Sequence, residues 1–289
     1  MDLLAQYALY GLVSASILAL PASALTLVYG LLHYPNFAIA ELVMVGAYVA
    51  VALQVVGVPL PLAVGGAGLL VGALATGLDQ GLFRRVRRYG PLPPLLMSIG
   101  VMFILQNAVR FVAGNRMRAF DLPVLRPLEV LGLRIGPYQL VMVGVSVVLL
   151  VVGHLLLART RIGKAIRATA DNPEVALASG IDAERVARIV WFATGILAGV
   201  AGGLLALETV VSPLMGWNLL LPVFAVAVLG GLGSLSGALV GALIVGLAQE
   251  WSTLLLPATY KNLVAFVILA AILLWRPSGL LGRARPSGR

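Results

Sequence analysis

Residues 138–157 read Tyr-Gln-Leu-Val-Met-Val-Gly-Val-Ser-Val-Val-Leu-Leu-Val-Val-Gly-His-Leu-Leu-Leu. No Asp, Glu, Lys or Arg interrupts the run. A helix that crosses the hydrocarbon of a bilayer needs about 20 mostly apolar residues, and this stretch supplies them. On either side, comparable runs occupy approximately 7–32, 37–56, 60–78, 93–112, 187–211, 217–231, 234–255 and 260–276. The first two are parted only by His33-Tyr34-Pro35-Asn36. The run 217–231 is short, contains Pro222 and ends in Gly230-Gly231-Leu232-Gly233, so it either spans with little tilt or is re-entrant. The reading is an all-α, polytopic transmembrane bundle of about eight to nine spans, a single domain over residues 1–289.

Composition agrees. Hydrophobic residues make up 61% of the 289, and charged residues only 11%, against about 25% in a soluble domain. Such a chain cannot cover a water-facing surface, which excludes a soluble enzyme, a disordered chain and a fibre. With no Cys, disulfides, thiolate nucleophiles and Cys-ligated metals are excluded. His33 and His154 are too few for a His-rich metal site. No metal or cofactor is expected.

The net charge of +9 reflects the excess of Lys and Arg in cytoplasmic loops of bilayer proteins rather than a nucleic-acid partner. Three clusters hold 14 of the 20 basic residues. They are Arg84, Arg85, Arg87 and Arg88; Arg159, Arg161, Lys164, Arg167, Arg185 and Arg188; and Arg276, Arg283, Arg285 and Arg289. With all three in the cytoplasm, the path is consistent if 217–231 crosses fully: the N-terminus then lies outside and the C-terminus inside after nine crossings, whereas a re-entrant 217–231 breaks the parity unless another segment changes too. The outer loop 113–137 still carries Arg116, Arg118, Arg126 and Arg134. The first apolar run lacks a basic n-region and is too long for a signal peptide, so it is expected to be retained.

Catalytic patterns are missing. There is no His-Glu-x-x-His, no Gly-x-Ser-x-Gly elbow, and Gly163-Lys164 lacks the rest of a phosphate-binding loop. Uphill movement of a solute would then draw on an ion gradient or a partner. Glu208 and Glu250 sit near span ends and suit interfaces. Glu41 lies deeper, either bonded to backbone or a nearby Asn, or on a translocation path. Gln106 and Asn107, adjacent amides within 93–112, are expected to bridge helices or to line that path with Asn36. Gly195, Gly199 and Gly203, like Gly233, Gly237 and Gly241, recur every fourth residue. That spacing grooves a helix for close packing, or for a subunit interface or moving pore wall.

Residues 158–186 form the polar stretch between two spans. Asn172 suits an N-cap, Pro173 the first helical position and Glu174 the positive end of a helix dipole. Gly180 suits a left-handed stop and Asp182 a second cap. A helix of about two turns results, with Val175 and Leu177 or Ala178 on an exposed apolar face. It is either a lever for a soluble partner or part of a solvated loop.

This stretch resembles the cytoplasmic loop of permeases in bacterial branched-chain amino acid ABC importers. The matching residues are Thr160, Arg161, Gly163, Lys164, Ala165, Arg167, Ala168, Asn172, Gly180, Ile181 and Arg185. Thr26–Leu31, Asn36-Phe37-Ala38, Gly46-Ala47-Tyr48, Leu197–Gly202, Leu229–Ser234 and Arg276–Gly282 extend the resemblance along the chain. Ile99-Gly100 with Leu105-Gln106-Asn107 is similar to the LivH-type permease rather than its longer partner. Two departures, Ile39-Ala40 where the family commonly has His-Gly and Pro222-Val223 where it often has Lys-Ala, fall near the expected solute path.

The resemblance implies a multi-pass subunit of the bacterial cytoplasmic membrane. Its partners would be a second permease subunit, two cytoplasmic ATPase subunits and an external solute-binding protein, with an amino acid as substrate. Gly163, Lys164, Arg167, Asn172, Pro173, Glu174, Val175, Gly180 and Arg185 would couple the chain to the ATPases. Two rivals stand beside it: the same machinery importing urea or short amides, and a stand-alone carrier or channel.

Overall fold

The computed structural model describes residues 2–282 apart from Val124 and Leu131, so Arg283, Arg285 and Arg289 of the third basic cluster lie outside the described residues. The elements run α1 (Asp2–Leu32), α2 (Ala38–Val55), α3 (Leu60–Leu78), a π-turn (Asp79–Phe83), α4 (Arg84–Arg87) and α5 (Leu92–Ala113). A hairpin of β1 (Leu128–Val130) and β2 (Leu133–Ile135) follows, then α6 (Pro137–Arg159), α7 (Arg161–Asp171) and α8 (Pro173–Ala178). The chain continues as α9 (Ala183–Leu205), α10 (Met215–Gly230), α11 (Leu235–Ser252) and α12 (Lys261–Trp275). Eight segments are long and apolar enough to cross a membrane, with α3, the π-turn and α4 together forming one of them.

At the centre stands α9, packed against α1, α2 and α3. Its glycines make this possible. A Cβ on Gly195 would come within 2.6 Å of the Gly72 Cα, and one on Gly199 within 2.7 Å of the Ala67 carbonyl oxygen. A Cβ on Gly202 would overlap the Val43 carbonyl oxygen of α2. Lipid offers helices no hydrophobic drive to associate, so this close approach supplies the dispersion contact that holds them. Gly237 and Gly241 play the same part between α11 and α10, against Gly230 and Val226. Gly195, Gly199, Gly203, Gly237 and Gly241 thus pack helices within the chain, while Gly233 is exposed.

The short run forms the helix α10, which stands apart from the eight long segments. At 16 residues, α10 is about 24 Å long, less than the ~30 Å hydrocarbon core. Met215 clusters with Met44, Tyr48, Val51 and Leu205, while the next residue, Gly216, lies against Ala40 and Glu41 in the first turn of α2. At the other end of α10, the Gly230 carbonyl accepts from the Leu281 N–H at 3.0 Å, in the C-terminal segment beyond α12. Gly233 then meets Gly30 near the end of α1. Among the described residues, α10 is thus a shorter ninth apolar helix beside the eight long segments, running from the first turn of α2 to the segment beyond α12.

One end of the bundle gathers the basic clusters. Arg84 pairs with Glu184 at 3.1 Å, tying α4 to α9, and Arg87 pairs with the buried Asp79. At the other end, residues 114–136 fold over the helices. Arg118 and Val211 exchange two backbone hydrogen bonds, at 3.0 and 2.7 Å, and the Gln6 side chain meets the Arg134 backbone at 2.7 and 2.9 Å. Glu250 accepts from Ser14 Oγ at 2.5 Å and from Lys261 Nζ at 2.6 Å. This cluster joins α1, α11 and α12.

Candidate functional site

Two regions draw the polar residues together: the segment between α6 and α9 at the basic end, and the break between α1 and α2.

The first is a chain of caps. Thr160 Oγ1 accepts from the Gly163 N–H at 3.2 Å and starts α7. A Cβ on Gly163 would overlap the Leu157 carbonyl oxygen, so only glycine permits the turn this tight. The Arg167 guanidinium donates to that same carbonyl and ties α7 back onto α6. Asn172 Oδ1 then accepts from Glu174 and Val175 N–H at 3.0 and 3.2 Å, capping α8, whose first residue is Pro173. At the other end the Gly180 N–H bonds the Leu177 carbonyl and the Ile181 N–H bonds the Ala176 carbonyl, both at 2.9 Å. With Gly180 at φ 82° this is a Schellman stop. Asp182 Oδ1 accepts from Glu184 and Arg185 N–H at 3.0 and 3.1 Å and begins α9.

Fixed at both ends, α8 turns Ala176 inward and presents Val175 and Leu177 at 60% and 66% exposure. Lys164, Glu174 and Arg185 are exposed beside it. Gly163, Arg167, Asn172 and Gly180 shape the segment, while Val175, Leu177, Lys164 and Glu174 offer its surface. The expected two-turn helix is present. In addition the basic stretch before it, read as part of a loop, is the amphipathic helix α7. Thr160 as cap, with Ile162, Ala165, Ile166 and Ala170 at helical spacing, was the signal for it.

The second region is buried. Asn36 Oδ1 accepts from the Ala38 N–H at 2.9 Å and orders the entry to α2. Ser98 Oγ of α5 accepts from the Phe37 N–H at 3.2 Å. Phe37 stacks on Phe224 of α10 at 4.8 Å. Tyr34, Phe83 and Trp191 form a continuous aromatic stack at 6.1 and 5.0 Å that links the break to the π-turn and to α9. Burial pushes the pKa of the Tyr34 hydroxyl up, with the Arg87 charge acting against it, so the hydroxyl stays neutral.

Glu41 is wholly buried, and neither carboxylate oxygen has a hydrogen-bond partner. The expected bonding to backbone or to an Asn is absent. Its Oε2 lies over Gly216, where a Cβ would overlap it, and the Arg110 charge is within electrostatic range. Gln106 faces the interior with Ser98. Asn107 bridges no helices. It lies on the exposed face of α5 and donates to its own Phe103 carbonyl at 2.8 Å, because the i−4 carbonyl is the acceptor a helix offers an outward amide.

With this geometry in view, known proteins decide the family. The family model described as branched-chain amino acid transport system / permease component matches residues 7–273. The chain belongs to that family. It is 34% identical to the high-affinity branched-chain amino acid transport system permease protein LivH of Escherichia coli K12, over 94% of each chain. It is 32% identical to the permease protein BraD of Pseudomonas aeruginosa, again over 94% of each. To the probable LivH permease of Methanocaldococcus jannaschii it is 30% identical, over 94% of this chain and 90% of that one. No solved structure matches it.

The protein is thus a multi-pass membrane permease subunit of a solute importer. Both polar regions acquire a setting from this. The capped segment lies at the basic end of the bundle, and the buried break around Glu41 lies within it.

Proposed function

We propose that this chain forms one half of the membrane path of an ATP-driven importer for branched-chain or related hydrophobic amino acids. Two cytoplasmic ATPase subunits drive it, a second permease completes the path and an external binding protein delivers the solute. The observation that carries the reading is α8: a two-turn helix, capped at both ends, with Val175 and Leu177 exposed beside the basic cluster. Apolar side chains on a rigid helix outside the membrane-spanning run are a docking knob for a soluble partner. Closure of the ATPase pair moves α8, and α8 moves α9, which begins four residues later at the Asp182 cap. A partner shifts the conformation only through contacts that differ between its two states.

On the solute side, a zwitterion with an apolar side chain asks for apolar walls and very few charges. Glu41 on α2, with the buried Asn36 in the break before α2 and the buried Gln106 on α5, is the acid the path opens onto, and Gly216 seals it in this conformation. Asn107, an amide on the exposed face of α5, faces the second permease. Glu41→Gln should lower uptake of labelled leucine at least about tenfold in cells, with unchanged amounts of folded protein. Unchanged uptake would remove Glu41 from the path. Competition assays separate the urea reading: excess unlabelled leucine or isoleucine should abolish uptake by the complex and excess urea leave it intact. The reverse pattern would transfer the substrate to the short-amide class.

A further inference from the structure

A crevice of about 330 Å³ opens between α1, α6, α7, α9 and the start of α11 at the basic end. Leu27, Leu150, Leu156, Ile166, Val190 and Leu197 are among its walls. Thr160 is the one lining residue with a polar side chain, and its hydroxyl is already engaged by the Leu156 carbonyl and the Gly163 N–H. The crevice therefore has nothing to offer a polar solute and lies apart from Glu41. An apolar hollow of this size is within the range that holds a ligand.

Its position and rim say which ligand. It lies at the junction where the span α6 turns into the amphipathic α7, which is where the hydrocarbon meets the aqueous phase. Arg159 and Arg161, exposed and flanking Thr160, have no ion-pair partner among the described residues. Two exposed guanidiniums, one on each side in sequence of the lining residue Thr160, match a molecule with an anionic head and a hydrocarbon tail. Basic pockets between spans on the cytoplasmic side have that character in membrane proteins. We propose that the crevice holds one acyl chain of an anionic phospholipid, whose phosphate is bound by Arg159 and Arg161. The tail fills the gap between α6–α7 and the α1–α9 core, so the lipid braces the junction from which the coupling segment extends.

The site can be tested without reference to transport. On Gly153, which lines the crevice, a Cβ would meet only Leu235 Cδ2 at 3.9 Å, so Gly153→Phe puts a ring into the hollow. The importer complex is purified in detergent with equal amounts of dioleoyl phosphatidylglycerol and phosphatidylcholine. Lipid retained per permease is then counted by native mass spectrometry. The wild type should keep one phosphatidylglycerol in at least about tenfold preference over phosphatidylcholine. Gly153→Phe should lose the retained lipid, and the surface variant Arg159→Gln/Arg161→Gln should keep a lipid but lose the preference. Equal retention of the two lipids by wild type, or full preference in the double-Gln variant, overturns the proposal. The double variant alters only exposed side chains and stays informative if Gly153→Phe does not fold. A Gly153→Cys crosslink to the second permease would also overturn it, by assigning the crevice to a protein partner.

Discussion

Replacing Val175 and Leu177 together by Asp should reduce uptake of labelled leucine about thirtyfold while the permease remains folded in the membrane. Both side chains are exposed, at 60% and 66%, and neither belongs to the core, so the effect on stability should stay within about 0.5 kcal/mol. At a docking contact, loss of anchoring apolar side chains costs about 2 kcal/mol or more, which is the stated fold-change in association. The caps survive, because Asn172, Gly180 and Asp182 are untouched and their bonds run to the backbone. Pull-down of the ATPase subunits by tagged permease should fall in parallel with uptake. Full uptake by a normally expressed double variant would deny α8 its role.

The opposite profile is expected at Gly202. Its Cα lies so close to α2 that any side chain must displace the Val43 carbonyl and the Ala47 amide. Backbone cannot yield as a rotamer does, so Gly202→Leu must push α9 away from α2 along their shared length. Overpacking of a core costs about 1–3 kcal/mol, and here the obstacle is main chain, which places the loss at the upper end or beyond. Folded protein recovered as a monodisperse peak in detergent should fall severely. Gly77→Leu is the control: on α3 nothing lies within 4 Å of a Cβ there, and exchange of glycine for leucine in a helix is favoured by about 0.8 kcal/mol. Equal recovery of both variants would contradict the packing role assigned to α9.

These two sites differ in how far the sequence announces them. Asn172, Pro173 and Gly180 declare a helix through local chemistry, since each residue type suits one backbone role, and α8 lies where they place it. The spans are legible for a similar reason: the bilayer imposes a length, and residues 138–157 meet it without a charge. The recurrence of Gly195 and Gly199 shows that helices approach but not which helices, because the partner glycines Gly72 and Gly46 lie over 100 residues away in the chain. The helix α10 is ambiguous in sequence because 16 residues fall short of the bilayer. Its neighbours, Glu41 at one end and the segment beyond α12 at the other, are facts of the folded chain.

The misses have physical causes too. Arginines and Gly163 mask the helical spacing of the apolar residues of α7, which rest on α6. The hairpin β1–β2 has strands of three residues each, too short to leave an alternating pattern. Asn107 and Gln106 are neighbours in sequence, and adjacent helical residues face about 100° apart. One of them turned inward therefore required the other to turn away. For Glu41 the sequence signals a buried acid but not its environment. That an oxygen would rest on Gly216, 175 positions later, is a fact of the folded chain alone.

The central claim is that this bundle does not power itself and is moved from the cytoplasmic side through α8. Its most direct test is accumulation of labelled leucine in sealed proteoliposomes loaded with binding protein outside and ATP within. Vesicles holding the two permeases with their ATPases should concentrate leucine, and vesicles holding the permeases alone should not, even under an imposed proton or sodium gradient. Accumulation by the permeases alone, with no nucleotide hydrolysed, would contradict the account.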